Sequence, residues 1–253
     1  MYAEERHQAM VQLARQQGRV EVMALAADFD VTPETVRRDL TALERQGVIR
    51  RVHGGAIPVE RLGFEPALAA RDAVMTGEKE RIAKLALCEL PEEGAILLDA
   101  GSTTARIAEI LPTDREFTVV TNAIPIALLL AARPNITLLI LGGRVRGRTL
   151  AAVDQWAIGS LRDTFVDIAF IGVNGISKQR GLTTPDSTEA GVKSAMIAAA
   201  RRTVVVADHT KFGNDHFARF GELDDVDTVI TDNGLDSDVA DEIAAAGPRL
   251  VLA

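Results

Sequence analysis

Two groups of residues in this 253-residue chain have the chemistry to hold an anion. The first lies in VTPETVRRDLTALERQGVIRRVHGG, residues 31–55, where Thr32, Glu34, Thr35, Arg37 and Arg38 are followed by Arg50, Arg51 and His53. Guanidinium groups grip phosphates and read guanine edges with paired donors, and hydroxyls add phosphate contacts. The second group is scattered, each part ending an apolar run. DAGSTT contributes Asp99, Gly101, Ser102, Thr103 and Thr104; VVTN contributes Thr121 and Asn122; LGG contributes Gly142 and Gly143. VNG adds Asn174 and Gly175, and ADHTK adds Asp208 and Lys211. Gly101 permits close backbone approach, and hydroxyls beside the amides of a helix start attract a dianionic phosphate. Lys211 could neutralise that phosphate, while Asp99, Asn174 and Asp208 could hold hydroxyls. Each strand end also reads as an ordinary cap or turn; their recurrence at one edge points to a pocket.

The elements that must position the first group are legible. Val36, Leu40 and Leu43 share one stripe of a helix, and Glu34, Arg38, Thr41 and Arg45 face the other way. Thr32 suits the N-cap and Pro33 the first helical position; the helix is expected to reach about Gln46, with Gly47 as its stop. Shorter helices are expected over 3–16 and 20–30. VIRRVHGGAI (48–57) alternates apolar and cationic residues before a Gly-Gly turn, as a small β-wing would. Together these spell a winged helix-turn-helix whose third helix enters the major groove at Pro33–Arg38, with Arg50, Arg51 and His53 on phosphates. A merely solvated cationic face is the competing reading; the coincidence of cap, proline, two-faced helix and wing weighs against it.

Residues 1–57 form the expected DNA-binding domain, 58–76 a linker, and 77–253 a second domain. Apolar runs at 95–99, 117–121, 136–141, 166–173, 203–207, 226–231 and 249–252 alternate with helical patterns at 103–111, 124–132, 188–201 and 236–246. The expected fold class is therefore α/β, the second domain a mostly parallel sheet covered by helices, with its ligand site at the C-terminal strand ends.

Composition sets bounds. Net charge is −8, yet residues 1–57 carry eight arginines and eight acidic residues, so the rest of the chain holds the whole excess. DNA affinity follows the cations that reach phosphates, so the overall sign does not exclude a nucleic-acid partner. Cys88 is the single cysteine, and His7, His53, His209 and His216 lack metal-ligand spacing; no metal and no cofactor is expected. Without an apolar leader or a membrane-length run, a cytoplasmic protein with no membrane partner is expected.

The stretch TVRRDLTALERQGVIRRVHGGA closely resembles the signature of the DeoR family of bacterial transcription regulators. The resemblance continues through DAGSTT, VVTN, LGG, FIGVNGI, GLTT, EAGVKSAMI, ADHTKFG and VITD, which look like that family's C-terminal sensor domain. It implies a sensor fold similar to ribose-5-phosphate isomerase and coenzyme A transferases. It further implies that Asp99, Ser102, Thr103, Thr104, Thr121, Asn122, Gly143, Asn174, Thr184 and Lys211 surround a phosphorylated sugar or polyol. One departure stands out: Asp154 and Gln155 occupy a segment that contains glycine in many members. The opening residues and the HGGAIP join resemble actinobacterial repressors of fructose operons, which implies a ketohexose phosphate such as fructose 1-phosphate as effector.

Three functions compete. The leading one is a repressor of a sugar-catabolism operon that binds double-stranded operator DNA as a homo-oligomer, dimer or tetramer, and is relieved by a phosphorylated sugar. The second is a sugar-phosphate isomerase-like enzyme with an attached DNA-binding module, using Asp99, Glu189, Lys193 and Lys211 as acid–base groups. The fused DNA-binding unit argues against it, since fold alone does not fix function. The third, a DNA-bending structural protein, leaves the strand-end pocket idle.

Overall fold

The computed structural model of the protein describes residues 3–17, 20–45, 48–52, 54–58, 65 and 67–253. It divides into two compact units, Met1–Phe64 and Glu65–Ala253. The first runs α1 (Ala3–Gln17), β1 (Val20–Glu21), α2 (Val22–Asp28), α3 (Pro33–Arg45), β2 (Ile49–Val52) and β3 (Gly55–Pro58). Met10, Leu25, Val36, Leu40, Leu43 and Ile49 are each at most 2% exposed and make its core, every such burial worth about 1.5–3 kcal/mol. β2 and β3 pair antiparallel with Arg51 opposite Ala56, forming the wing. The helix expected over 20–30 starts at Val22 instead, because Val20 pairs with Ala56 on the free side of β3 and the Val22 N–H bonds Gly54 O at 2.9 Å. Val20 is β-branched and buried, which suits a strand.

The second unit opens with α4 (Leu68–Asp72) and α5 (Thr76–Ala86), so the stretch read as a linker contributes a helix and the buried Glu65 to this unit. Then follow β4 (Gly94–Leu98), α6 (Ser102–Glu109), β5 (Phe117–Thr121), α7 (Ile124–Leu130) and β6 (Ile136–Ile140). β7 (Arg144–Arg146), β8 (Ala151–Val153), α8 (Gln155–Leu161), β9 (Ile168–Gly172), β10 (Gly175–Ser177) and β11 (Gly181–Thr184) come next. The chain ends with α9 (Ser187–Ala198), β12 (Thr203–Val206), β13 (Ala218–Gly221), β14 (Thr228–Thr231), α10 (Ser237–Ala244) and β15 (Arg249–Leu252).

Seven strands form a parallel sheet in the order β15-β14-β12-β9-β4-β5-β6. Side chains alternate between its faces: Ile96, Leu98, Val204 and Val206 pack with α5, α6 and α7, whereas Leu97 and Val205 pack with α8, α9 and α10. From β4 the chain builds outward through β5 and β6, then returns to β9 and builds the other way. The order reverses between β4 and β9, which is where open α/β sheets bind ligands. A three-stranded antiparallel sheet, β10-β11-β13, and the β7–β8 hairpin complete the unit. Among the described residues, no helix is long and apolar enough to cross a membrane.

Candidate functional site

Thr32 starts α3 as expected: its Oγ1 accepts the Thr35 N–H at 3.2 Å, and the Val36 N–H reaches Thr32 O at 3.1 Å. The cap fixes the first turn and projects Glu34, Arg37 and Arg38 outward. Glu34, Arg37, Arg38, Thr41, Arg45 and Arg51 line one shallow depression on this unit. Arg51 joins the wing to the helix, donating to Thr41 Oγ1 at 3.1 Å, and its backbone N–H bonds Glu44 Oε1 at 2.9 Å. The two candidate readers differ in how their charge is met. Arg37 lies 3.3 Å from Glu34, whereas Arg38 is exposed and has no ion partner among the described residues. The Arg50 side chain and His53 lie outside the described residues. Behind this surface the buried Asp39 receives Arg6 Nε at 2.6 Å and lies 2.8 Å from His7 Nε2. Burial pushes the Asp39 carboxyl up, but the hydrogen bonds from Arg6 and His7 outweigh it and hold the group below its ordinary range.

In the second unit, the ends of β4 and β9 meet through Asp99. Its Oδ2 accepts the Gly172 N–H at 3.0 Å and pairs with Lys193 Nζ, which also donates to Gly172 O at 2.8 Å. Two predicted hydroxyls are already committed to backbone. Thr104 donates to Asp99 O at 2.6 Å, and Thr121 donates to Leu98 O at 2.6 Å; both are 0% exposed. Ser102 and Thr103, on the first turn of α6, make no side-chain hydrogen bond among the described residues. Asn122 donates to Ala152 O at 3.1 Å, and its Oδ1 is buried without a partner among the described residues. Thr184 donates to Asn174 Oδ1 at 3.1 Å.

The cations cluster nearby. Lys211 lies 3.7 Å from Asp208 Oδ2, and Asp208 accepts the Thr210 N–H at 3.1 Å. Next to this pair, the buried Lys79 donates to Arg71 O and, at 2.5 Å, to Val74 O. Burial lowers its ammonium to about 8, with Asp208 opposing the shift and Lys211 adding to it. His209 Nδ1 sits 2.7 Å from Asp232, whose carboxyl burial would raise; the N–H groups of His209 and Gly234 and the His209 ring hold it low instead.

A second polar cluster was not anticipated from sequence. Arg146 pairs with Glu65, with Asp186 at 3.0 Å and with Glu189 at 3.1 Å. Glu65 also meets Arg71 at 3.3 Å and accepts Asn174 Nδ2 at 3.2 Å. Thr149 donates to Glu189, whose carboxyl is raised by burial, Lys193 opposing and Glu65 adding. Residues this far apart in the chain leave no local spacing signal.

Gly143 and Gly175 have packing reasons for being glycine: a Cβ would lie 2.4 Å from Val153 O at Gly143 and 2.2 Å from Asn214 O at Gly175. Gly143 lines a separate hollow of about 660 Å³ with Arg144, Asp154, Trp156, Ser187 and Thr188, which none of the other predicted effector residues lines. Asp154 occupies φ +77°, ψ −174°, a conformation suited to glycine, which explains why glycine is at home in this segment.

Residues 6–61 match the DeoR-like helix-turn-helix domain, and residues 75–233 match the DeoR C terminal sensor domain. HTH-type transcriptional regulator GlpR of Haloferax volcanii is 36% identical over 251 residues, covering 99% of this chain and 98% of that one. The glycerol-3-phosphate regulon repressor of Escherichia coli is 31% identical, covering 90% of each chain. An uncharacterized HTH-type transcriptional regulator of Bacillus subtilis, FruR, is 32% identical, covering 92% of each. Among solved structures, ribose 5-phosphate isomerase A of Methanocaldococcus jannaschii aligns at a TM-score of 0.39 with 20% identity over 53% of each chain, too distant to speak of activity.

Proposed function

The chain belongs to the DeoR family of transcription regulators, and on that premise we propose that it represses a sugar-catabolism operon and is relieved by a phosphorylated sugar bound in its second unit. It is a regulator and not an enzyme: the family's DNA-binding domain occupies residues 6–61, and relatives along its whole length are named as regulators. The observation that carries the sensor reading is the reversal of strand order between β4 and β9, where Asp99 accepts the Gly172 N–H and Thr104 of α6 donates to Asp99 O. Ser102, Thr103 and the α6 amides suit phosphate oxygens, Lys211 adds charge, and Asn174 and Thr184 suit sugar hydroxyls. A relative named for a glycerol-3-phosphate regulon favours a small phosphorylated polyol or sugar, and fructose 1-phosphate is the first to try.

On the DNA side, Arg38 and the flanking Thr35 and Arg37 are the proposed base-edge and phosphate contacts, with Arg50, Arg51 and His53 on the backbone. One such unit reads about one half-site, so the working form is a dimer or tetramer. Leu128, Leu139 and Ile140, on α7 and the edge strand β6, are half or more exposed and offer the apolar face for it.

A thermal-shift panel of sugar phosphates tests the reading. A ligand that binds only the folded chain raises its melting temperature. Fructose 1-phosphate or another phosphorylated sugar is expected to do so while its unphosphorylated parent does not; a flat panel rejects the sensor role.

A further inference from the structure

We propose that α8 is a contact between two copies of this chain, packed antiparallel about a two-fold axis with Trp156 as its anchor. This face adds to the one on α7 and β6 named above, and it stands apart from the operator and effector readings.

Trp156 is the only tryptophan of the chain and is 79% exposed on α8. An indole carries a large apolar area, and rings of this kind anchor protein interfaces. Gly159, Ser160 and Asp163 follow at three, four and seven residues, so they share its side of the helix, and all are exposed. Between the ring and the carboxylate the surface is low. A Cβ at Gly159 would meet nothing within 4 Å. The Ser160 hydroxyl turns back to donate to Trp156 O at 3.0 Å, and Thr164 donates to Ser160 O at 2.6 Å. Covering this ridge therefore strands no hydroxyl donor. On the other side of the helix Ala157 and Leu161 are buried in the core. Phe165, 83% exposed, stands just past the helix and adds apolar surface.

Charge says what covers it. At the C-terminal end, Arg162 and Asp163 are exposed and have no ion partner among the described residues. At the N-terminal end, Arg144 and Asp154 pair at 2.7 Å and, with Trp156, line the hollow of about 660 Å³. Each end thus carries one cation and one anion. A two-fold axis through Gly159 and Ser160 lays the C-terminal end of one α8 over the N-terminal end of the other. Arg162 of the second copy then meets Asp154 and the open indole face, and Asp163 of the second copy meets Arg144. Both contacts repeat across the axis. A partner of a single charge sign meets a like charge at each end, whereas a second copy meets opposites.

α7 and α8 pack on opposite faces of the parallel sheet, so the α8 contact is distinct from the one on α7 and β6. By itself the α8 contact makes a dimer; joined to the other it makes a tetramer.

Because Trp156 is the only tryptophan, its fluorescence reports this face directly. The test measures acrylamide quenching of Trp156 and the molar mass by light scattering, both on the full chain. Wild type is expected to shield Trp156. Gly159→Arg, which the open space at Gly159 admits within one copy, and Asp163→Arg are each expected to halve the molar mass and to open Trp156 to the quencher. A mass that neither substitution changes, or a wild-type Trp156 as open as in the two variants, overturns the proposal. So does a mass halved by Leu139→Glu alone, which leaves only the α7–β6 contact. Shielding that appears only on adding a free sugar, at constant mass, assigns the hollow to a small ligand and overturns it as well. If G159R does not fold, D163R decides by itself.

Discussion

Arg6 Nε donates to Asp39 Oδ2 at 2.6 Å, and this bond fastens α1 to the buried side of the helix that carries Arg37 and Arg38. Removing the charge tests it. Asp39→Asn should lower the stability of the DNA-binding unit by about 1–3 kcal/mol, because a buried guanidinium loses its counter-charge. Chemical denaturation reads the change; unaltered stability would show that apolar packing alone positions α3.

Arg38 is exposed on the first turns of α3 and, among the described residues, has no ion partner, so it is free to meet DNA. Arg38→Ala should weaken binding to an operator selected from random-sequence DNA by about 1–3 kcal/mol if it reads a base edge. Arg37→Ala should cost less, since Arg37 already shares charge with Glu34. Gel-shift titration at fixed salt separates the two, and undiminished binding by R38A would remove Arg38 from the interface.

Lys79 supplies a pH dependence with a definite sign. Its folded value is about 8 against an ordinary 10.5, so between these the unfolded chain holds a proton the folded chain has lost. Stability contributed by this group therefore rises with pH across that window and is flat below it. The difference in unfolding free energy, wild type minus Lys79→Met, should increase from pH 8 to 10.5. A difference independent of pH would mean the ammonium is not desolvated.

Lys211 is tethered to Asp208 only at 3.7 Å, loosely enough to turn to an anion. Lys211→Ala should leave operator affinity intact and reduce or abolish the effect of the sugar phosphate upon it. A normal response in K211A would take Lys211 out of the pocket.

Much of the fold was legible because its signals are local. Thr32 and Pro33 announce the start of α3 within two residues, and the stripe of Val36, Leu40 and Leu43 sets its buried side. The parallel strands show as near-continuous apolar runs because both sheet faces are covered. The β7–β8 hairpin and the β10-β11-β13 sheet escaped notice, since strands of three or four residues carry too little pattern. Residue type placed Thr104 and Thr121 at strand ends but could not reveal that backbone carbonyls already hold both hydroxyls. Likewise Glu65, Arg71, Arg146 and Asn174 come together only in three dimensions.

Asp154 keeps a backbone conformation that costs a non-glycine residue about 1–3 kcal/mol, and its exposed pair with Arg144 returns little. Asp154→Gly should therefore raise stability by about 1 kcal/mol once glycine's extra chain entropy is subtracted. A lower melting temperature would instead assign the carboxylate a structural role.

On the proposed division of labour, one unit holds DNA while the other, on binding a phosphorylated sugar, changes that hold. Fluorescence anisotropy of the full chain on its selected operator, with and without each sugar phosphate of a panel led by fructose 1-phosphate, measures it directly. At least one of them is expected to weaken binding by about 5- to 150-fold; an affinity that no sugar phosphate changes would overturn the repressor reading.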